Sequence, residues 1–473
     1  MLWSREEVRA ALKPEEVIGA PPSGFSDVSF DSREIAEGAL FFAIRGVRMD
    51  GHAFAADALK RGAGAAVVSA PTEEMRAAGP LIVVKDALKA LEDLGRAARA
   101  RTRAAVIGIT GSVGKTTTKE MLAMALSAVG VTHAAKGSFN NHWGVPLTLA
   151  KMPRDAAFAV IEMGMNAPGE IAALTAMARP HVAVVTQVAE SHIGAFDDLG
   201  GIAAAKAEIF SGVAPGGAAV VNADAPHADV LVRAAQEAGI ARIITTGVGA
   251  NADVRLVRAM NDARAGTVSV QADVFGTPVS FLVGTAGEHM ARNALIVLAV
   301  AEALGLDLAP LMQRLRDMRP LAGRGRRQVL HLPGGEALLI DESYNANPAS
   351  MRAALAVLGE LKPRGGGRRI AVLADMLELG ERGPALHAGL AGAVAEAQVD
   401  ILCTVGPLME HLRAAVPAHL RGPHVAGAAM LEPWLKKTLR PGDVILFKGS
   451  NGMKLGAVVH TLAEAFARRE NLA

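Results

Sequence analysis

Short apolar runs alternate with longer Ala- and Leu-rich stretches along most of the chain. The apolar runs include AAVIGIT (104–110), AFAVIEMG (157–164) and HVAVVTQV (181–188), and a polar or glycine-containing segment follows each of them. Near-continuous apolar runs of this length predict strands that are buried on both faces, as in parallel sheets. The alternation therefore predicts an α/β protein with largely parallel sheets.

The same pattern divides the chain into three blocks, which we interpret as three domains. A chain of 473 residues is too long for one hydrophobic core. We place the first boundary in the helical stretch 87–103 and the second in the Gly-, Pro- and Arg-rich hinge 319–327. The predicted fold is a small N-terminal α/β domain (1–95), a central domain with a mostly parallel sheet flanked by helices (96–320), and a C-terminal Rossmann-like domain (321–473).

Composition narrows the class of protein without assigning any chemistry. With 49 basic and 47 acidic residues the formal charge is +2, and no dense Lys/Arg stripe is present, so we exclude nucleic acid as a partner. The single cysteine, Cys403, cannot form an internal disulfide, which favours a reducing compartment. The N-terminal residues lack a signal-peptide pattern, and no run approaches the ~18 apolar residues of a membrane span. We therefore expect a cytoplasmic protein.

The segment VIGITGSVGKTTTKE (106–120) has the pattern of a phosphate-binding loop of the P-loop type. It follows a predicted strand and leads into a predicted helix, so backbone N–H groups and the helix N-terminus would face the phosphates. Lys115 would balance phosphate charge, and the Thr116 hydroxyl would ligate Mg²⁺. Ile109 stands where the usual motif has its first glycine, and an ordinary glycine-rich turn is the alternative interpretation. We predict a nucleoside triphosphate site formed by Thr110, Gly111, Ser112, Val113, Gly114, Lys115, Thr116 and Thr117.

Three further residues are candidates for a metal site beside this loop. Glu162 ends an apolar strand, and a carboxylate at the C-terminal end of such a strand faces the ligand crevice of an α/β sheet; a solvated strand-end acid is the alternative. His192 lies in the loop after the next strand, where a capped loop histidine is the alternative. Lys206 lies on an Ala-rich helix, where a lysine is ordinarily solvated, and composition alone would not select it.

Several segments together resemble the Mur ligases, the cytoplasmic amide-forming ligases that build the peptide stem of bacterial cell-wall precursors. The phosphate loop is common to that superfamily, whereas YNANP and DMLELG are more selective. The segments that carry the resemblance are DSREIAEGALFFAIRG (31–46), TGSVGKTTTKE (110–120), SFNNHWGVPLTLA (138–150), IEMGMNAPGEI (161–171), SHIGAF (191–196), AKAEIF (205–210), DESYNANPASM (341–351), AVLADMLELG (371–380) and FKGSNGMKL (447–455). The resemblance covers nearly the whole chain.

The resemblance implies an ATP-dependent ligase of peptidoglycan synthesis. Its partners would be UDP-N-acetylmuramoyl-tripeptide (UDP-MurNAc-tripeptide) and D-alanyl-D-alanine (D-Ala-D-Ala), joined through an acyl phosphate. It also implies two Mg²⁺ ions and a carbamate, derived from CO₂, on Lys206. We expect the enzyme to act as a monomer. No protein nucleophile is required, since phosphoryl transfer depends mainly on positioning and charge neutralisation.

The resemblance also assigns roles to individual residues. The metal positions are Thr116, Glu162, His192 and carbamylated Lys206. The catalytic positions are Lys115, Glu162, His192 and Lys206. Asn293 would lie beside the adenine, Arg324 would reach the nucleotide from the hinge, and Glu342 would contact ribose or phosphate. The predicted substrate contacts are Ser32 and Arg33 for the UDP end, Asn140 and Asn141, and Asn345 and Asn347 for the dipeptide. A surface salt bridge is the alternative for Arg33, and turn residues before Pro348 are the alternative for Asn345 and Asn347.

Two positions depart from the family pattern, and other members remain alternatives. Met290 stands where the family usually has Asn, and Glu342 stands where it usually has Asp. The ligase that adds the third stem residue usually shows a D-N-P-R segment, which the third block lacks. A folylpolyglutamate synthase would lack a UDP-binding first block. A switch-type GTPase would need an N-K-x-D motif, which is absent.

Overall fold

The computed structural model describes residues 1–46, 49–190, 196, 198–262, 265–320 and 322–467. His192 lies outside these ranges. Within the described residues, no helix is both long enough and apolar enough to span a membrane.

The secondary structure alternates between strands and helices in the order expected for α/β domains. The strands are β1 (Trp3–Ser4), β2 (Glu16–Ile18), β3 (Gly24–Phe25), β4 (Val28–Ser29), β5 (Leu40–Phe42), β6 (Ala65–Val68), β7 (Leu81–Val83), β8 (Ala105–Thr110), β9 (Thr132–Ala134), β10 (Phe158–Glu162), β11 (Val182–Val185), β12 (Ala218–Asn222), β13 (Arg242–Gly247), β14 (Val254–Asp262), β15 (Thr267–Val274), β16 (Thr277–Val283), β17 (Arg326–Leu332), β18 (Gly335–Glu342), β19 (Arg369–Ala374), β20 (Ile401–Val405), β21 (Arg421–Val425) and β22 (Val444–Lys448). The α-helices are α1 (Arg5–Leu12), α2 (Ala55–Lys60), α3 (Glu73–Ala78), α4 (Ala87–Arg101), α5 (Lys115–Leu126), α6 (Gly144–Ala150), α7 (Glu170–Ala178), α8 (Leu199–Ala207), α9 (Ala228–Glu237), α10 (Glu288–Ala303), α11 (Leu308–Leu315), α12 (Pro348–Glu360), α13 (Gly383–Ala388), α14 (Ala391–Glu396), α15 (Met409–Ala415), α16 (Glu432–Thr438) and α17 (Leu455–Ala465).

The N-terminal sheet is small and is attached to the central part of the chain by its first residues. Its strand order is β2-β7-β6-β5-β4, and all neighbours are parallel except β2 and β7. Trp3 is buried, and its indole Nε1 donates to the carbonyl of Ala150 at 2.8 Å. Lys151 pairs with Asp27 at 2.9 Å. The helix α4, which follows this sheet, is continuous through residues 95 and 96.

The central sheet places the phosphate loop where the order of the strands reverses along the sheet. Its order is β16-β15-β14-β13-β12-β11-β8-β10-β9, parallel from β9 to β14. The chain runs from β8 outward to β9, returns through β10 and then crosses to β11 on the other side of β8. A crevice therefore opens at the C-terminal end of β8, between the ends of β10 and β11. The loop that follows β8 lies in this crevice.

The C-terminal sheet has the order β17-β18-β22-β19-β20-β21 and is parallel except for the β17–β18 hairpin. Glu342 at the end of β18 is the register partner of Lys448 at the end of β22. Residues at the C-terminal ends of both large sheets line one cavity of about 1530 Å³. Ligand pockets are typically about 300–1,000 Å³, so this cavity has room for more than one substrate.

The predicted fold class is confirmed, with a central sheet on helices, a Rossmann-like C-terminal sheet and a small N-terminal α/β unit. The sequence did not reveal the antiparallel extension formed by β14, β15 and β16. The turn from β15 to β16 uses Phe275 and Gly276, both with positive φ (49° and 82°). Such a two-residue turn suits a hairpin rather than a crossover.

Candidate active site

The loop between β8 and α5 has a backbone that only glycine accommodates at two positions. Gly111 (φ 147°) and Gly114 (φ 86°) both have positive φ. A Cβ on Gly111 would collide with the Thr186 hydroxyl, and one on Gly114 would lie 3.1 Å from Asn293 Oδ1. Gly114 is the N-cap of α5, and no side chain in the described chain caps this helix end. The N–H groups of the first turn are therefore open to an anionic ligand.

Residues that follow β11 hold the loop in shape. The Thr186 hydroxyl donates to the Val113 carbonyl at 2.6 Å, and the Thr186 N–H donates to the Thr110 carbonyl at 2.9 Å. The Ser112 N–H donates to the carbonyl of Gln187 at 2.6 Å. These bonds occupy carbonyl groups of the loop and leave the N–H groups of the first turn of α5 available. The anion site is thus preorganised by its neighbouring strand.

Glu162, Thr116 and Asn140 form a polar cluster beside the loop. Glu162 is 2% exposed, and its Oε1 accepts from the Thr116 hydroxyl at 3.1 Å and from Asn140 Nδ2 at 2.8 Å. Its Oε2 is buried and accepts no hydrogen bond from any described residue. A buried carboxylate oxygen without a donor is costly unless a ligand satisfies it. The cluster therefore has one acceptor free for a cation.

Lys206 lies on the wall of the same cavity, near the end of α8. It is 2% exposed, and among the described residues its ammonium has neither a hydrogen-bond partner nor an ion-pair partner. Burial lowers the pKa of Lys206 well below its usual value, and the positive charge of Lys115 acts in the same direction. The neutral amine is therefore more accessible for Lys206 than for an exposed lysine.

Lys115 points back at its own loop. Its Nζ donates to the carbonyl of Gly111 at 2.6 Å. Burial lowers the pKa of Lys115; the carboxylate of Glu162 opposes this shift and Arg324 adds to it. The ammonium lies where a P-loop lysine meets phosphate oxygens.

Arg324 connects the hinge to the phosphate loop across the cavity. Its Nη2 donates to the Thr116 hydroxyl at 3.1 Å and to the Ser138 hydroxyl at 3.3 Å. Its guanidinium carbon lies 4.1 Å from the ring centroid of Tyr344. The side chain thus contacts residues of the central domain beside the phosphate loop, although its backbone belongs to the linker before β17.

The opposite wall of the cavity contains a second buried lysine, Lys448. Its Nζ donates to the carbonyl of Asn345 at 3.0 Å and lies 3.4 Å from Glu342 Oε2. Burial lowers the pKa of Lys448, and the charge of Glu342 opposes this effect. In contrast to Lys206, this ammonium is partnered.

The structure brings most of the predicted site residues to one cavity. Beyond the phosphate loop, the predicted residues that line it are Asn140, Asn141, Glu162, Lys206, Asn293, Arg324, Glu342, Asn345 and Asn347. Met290, at the family's usual Asn position, is 4% exposed in α10, and it also lines the cavity. His192 lies outside the described residues.

Some predicted ligand residues have structural hydrogen bonds. Asn347 is the N-cap of α12, and its side chain accepts from the N–H of Ser350. Asn141 Oδ1 accepts from the N–H groups of Trp143 and Gly144, at the start of α6. Asn345 Oδ1 accepts from the N–H of Ala346. The amide –NH₂ groups of these three side chains have no acceptor among the described residues and are free to donate.

Two further predicted residues lie away from the cavity. Ser32 is buried in a 3₁₀ turn, and Arg33 is exposed and pairs with Asp31 through Nε–Oδ1 (2.9 Å) and Nη2–Oδ2 (2.5 Å). Neither lines the cavity at the phosphate loop. Arg33 thus shows the surface salt bridge that was its alternative interpretation.

Sequence reasoning missed three cavity residues that the structure makes prominent. Ser138, Thr186 and Lys448 all line the cavity. A local pattern does not by itself select any of the three, because their roles depend on contacts with distant parts of the chain. Lys448 could have been found as a lysine that ends an apolar strand.

One cavity combines a preorganised phosphate loop with a buried carboxylate and two buried lysines. This arrangement defines a nucleotide-dependent enzyme of the P-loop type that is built from several α/β units. Three family models match the chain in order. They are the Mur ligase family catalytic domain (25–99), the Mur ligase middle domain (109–301) and the Mur ligase glutamate ligase domain (325–451). The chain belongs to the Mur ligase family.

Individual relatives extend this similarity over the whole chain. A UDP-N-acetylmuramoyl-tripeptide–D-alanyl-D-alanine ligase of Synechocystis sp. is 36% identical over 444 residues, covering 92% of each chain. A crystal structure of MurF from Acinetobacter baumannii has a TM-score of 0.83 and 29% identity, covering 98% of this chain and 99% of that one. MurF ligase from Thermotoga maritima, solved with ADP, has a TM-score of 0.76 and 25% identity, covering 94% and 98%.

Proposed function

We propose that this protein is an ATP-dependent amide ligase that joins D-Ala-D-Ala to UDP-MurNAc-tripeptide in peptidoglycan precursor synthesis. The observation that carries the proposal is the single cavity that places Lys115, Glu162 and Lys206 opposite the YNANP segment. Full-length similarity to relatives named for this reaction supports the choice within the family. We assign the reaction to the cytoplasm and to a monomer, with the three domains divided at residues 95/96 and 320/321.

The residues present fit ATP and Mg²⁺. The open N–H groups at the start of α5 suit phosphate oxygens, and so does the Ser112 hydroxyl, which has no partner among the described residues. Glu162 Oε2 and the Thr116 hydroxyl are oxygen ligands of the kind Mg²⁺ prefers. Among the described residues, no group of three or more His, Cys, Asp and Glu side chains is placed so that it could hold a metal ion. A carbamate on Lys206, which lines the same cavity, would supply a further oxygen ligand. Two Mg²⁺ ions would neutralise phosphate charge when bound.

Lys206 is suited to carbamate formation. A neutral amine can attack CO₂, forming an N–C bond and losing a proton to give an anionic carbamate. Burial and the neighbouring Lys115 lower the pKa of Lys206, which raises the fraction of neutral amine. The product would be an anion facing the positive charge of Lys115, which favours the carbamate over the neutral amine.

In the first chemical step, the tripeptide carboxylate attacks the γ-phosphorus of ATP. A bond forms between the carboxylate oxygen and phosphorus, the bond to the bridging oxygen breaks, and ADP leaves. Lys115 and Arg324 approach this site from two sides, the first from the loop and the second from the hinge. Their charges would stabilise the negative charge that spreads over the transferring group.

In the second step, the amine of D-Ala-D-Ala attacks the acyl phosphate. The new C–N bond forms a tetrahedral intermediate, which expels phosphate with the C–O electron pair and loses the proton of the amine. The amide –NH₂ groups of Asn141, Asn345 and Asn347 are available donors for the two substrates. Asn140, whose Nδ2 already donates to Glu162 Oε1, has one N–H left for them. We assign the UDP end to the N-terminal domain near Ser32 and Arg33, and the adenine side to Asn293 with Glu342 at the ribose or phosphates.

Phosphate release from ATP tests the function directly. The protein is incubated with ATP, Mg²⁺ and UDP-MurNAc-tripeptide, with and without D-Ala-D-Ala. We expect release only when the dipeptide is present, together with an equal amount of the pentapeptide product. Release that is independent of the dipeptide, or that needs a single amino acid instead, would contradict the proposal.

A further inference from the structure

The hinge arginine is held in place by an aromatic ring. Tyr344, the only tyrosine of the chain, follows β18, and its ring centroid lies 4.1 Å from the guanidinium carbon of Arg324. A cation within about 6 Å of a ring centroid is attracted to the ring face. The ring lies on the C-terminal side of the cavity, whereas the hydroxyl partners of Arg324 lie on the central side.

Backbone contacts fix the ring relative to the hinge. The Tyr344 N–H donates to the carbonyl of Gly323 at 3.1 Å. The Gly323 N–H donates to Asp341 Oδ2 at 2.7 Å. A Cβ on Gly323, which has φ 74°, would lie 2.8 Å from Tyr344 Cβ. The residue before Arg324 is therefore locked against the segment that carries the ring.

Arg324 has no other compensation for its charge within the described chain. Its polar contacts are the hydroxyls of Thr116 and Ser138, and no described carboxylate forms an ion pair with it. A long side chain held by two neutral hydroxyls loses much rotamer freedom for little electrostatic gain. The ring attracts the guanidinium without neutralising it. The positive charge of Arg324 therefore remains available to an anion in the cavity.

The ring face, not the hydroxyl, makes the contact. The hydroxyl of Tyr344 has no hydrogen-bond partner among the residues that the structure describes. Phenylalanine would therefore preserve the interaction, whereas an aliphatic residue would not.

We propose that Tyr344 is a positioning residue that directs the Arg324 guanidinium toward the phosphate-binding loop. It acts through Arg324 and does not itself contact the reacting atoms. The inference rests on the proposed function only where phosphate release is the measurement. Its physical content is the orientation of one arginine toward a nucleotide phosphate.

A double-mutant cycle tests the inference. Phosphate release by the wild type is compared with Tyr344→Phe, Tyr344→Leu, Arg324→Ala and the Tyr344→Leu/Arg324→Ala pair. We expect Tyr344→Leu to lower kcat about 3- to 30-fold, and Tyr344→Phe to stay within about twofold of the wild type. In the Arg324→Ala background, Tyr344→Leu should have no additional effect, because the residue on which it acts is gone.

Binding of a non-hydrolysable ATP analogue, measured by calorimetry, separates this inference from the proposed function. Affinity should fall for Tyr344→Leu and be retained for Tyr344→Phe, whether or not the dipeptide is the acceptor. If the wild type lacks dipeptide-dependent release but shows this affinity pattern, the function is wrong and the inference stands. Equal losses for Phe and Leu, or an undiminished Leu effect without Arg324, would overturn the inference. Tyr344→Met replaces Tyr344→Leu if thermal unfolding shows that the latter does not fold.

Discussion

Two buried lysines on opposite walls of the cavity have opposite surroundings. Lys206, on the central side, and Lys448, on the C-terminal side, are each 2% exposed, and burial lowers the pKa of both. Lys448 contacts Glu342 and the carbonyl of Asn345, whereas Lys206 has no partner among the described residues and faces the charge of Lys115. Burial alone therefore does not identify a reactive lysine.

The difference in partners separates a structural role from a chemical one. A buried ammonium that is hydrogen-bonded and paired stabilises the segments it joins, here the ends of β18 and β22 and the YNANP segment. A buried ammonium without partners costs stability and persists only where it is used. On this basis we expect Lys206 to matter for turnover and Lys448 for folding.

The largest expected effect is the loss of turnover in Lys206→Ala. Without the amine no carbamate can form, so phosphate release should fall at least about a hundredfold. Nucleotide binding should persist, because the loop of residues 110–117 is untouched. The measurement pairs the phosphate assay with calorimetric binding of an ATP analogue.

Lys60→Ala is the matched control for that variant. Lys60 is exposed on α2, and Glu74 is its only ion-pair partner among the described residues, so its removal should leave turnover unchanged. Full activity in Lys206→Ala would refute the carbamate role. The carbamate can also be located with ¹³CO₂. A label that survives in Lys206→Ala but disappears in Lys448→Met would place the carbamate on Lys448, on the opposite wall of the cavity, and would contradict the assignment to Lys206.

How much of this contrast can be predicted from the sequence depends on how far apart the interacting residues are. The phosphate loop and Glu162 each follow an apolar run directly, so a local pattern places them at strand ends. Lys206 carries no local signal, because its burial comes from the packing of α8; only the family resemblance selected it. The pairing of Glu342 with Lys448 needs the register of strands about a hundred residues apart, which no periodicity shows.

The second prediction concerns the contribution of Lys448, the partnered lysine, to the stability of the protein. Lys448→Met removes the hydrogen bond to Asn345 and leaves Glu342 without its cation. The free energy of unfolding should fall by about 1–3 kcal/mol, a range that allows for the partial exposure of Glu342. Urea unfolding measures this, and Lys448→Arg should recover part of the loss. An unchanged midpoint in Lys448→Met would mean that the partners contribute nothing.

The last and smallest expected effect is a change in the free energy of unfolding that has opposite signs for the two lysines. In buffer free of CO₂, Lys206→Met replaces an unpartnered buried amine by an apolar side chain of similar length. The protein should become more stable at pH 7 by about 0.5–2 kcal/mol, in contrast to the loss in Lys448→Met.

The pH dependence of that gain follows from the lowered pKa of Lys206. The unfolded chain keeps the Lys206 proton up to about pH 10.4, whereas the folded protein releases it at a lower pH because burial lowers the pKa. Between these two pKa values the unfolded state binds more protons, so the stability of the wild type rises with pH. The advantage of Lys206→Met should therefore shrink as the pH is raised toward 10, measured by urea unfolding in a series of buffers. A destabilised Lys206→Met, or an advantage that grows with pH, would show that Lys206 is charged and partnered in the folded protein, as Lys448 is.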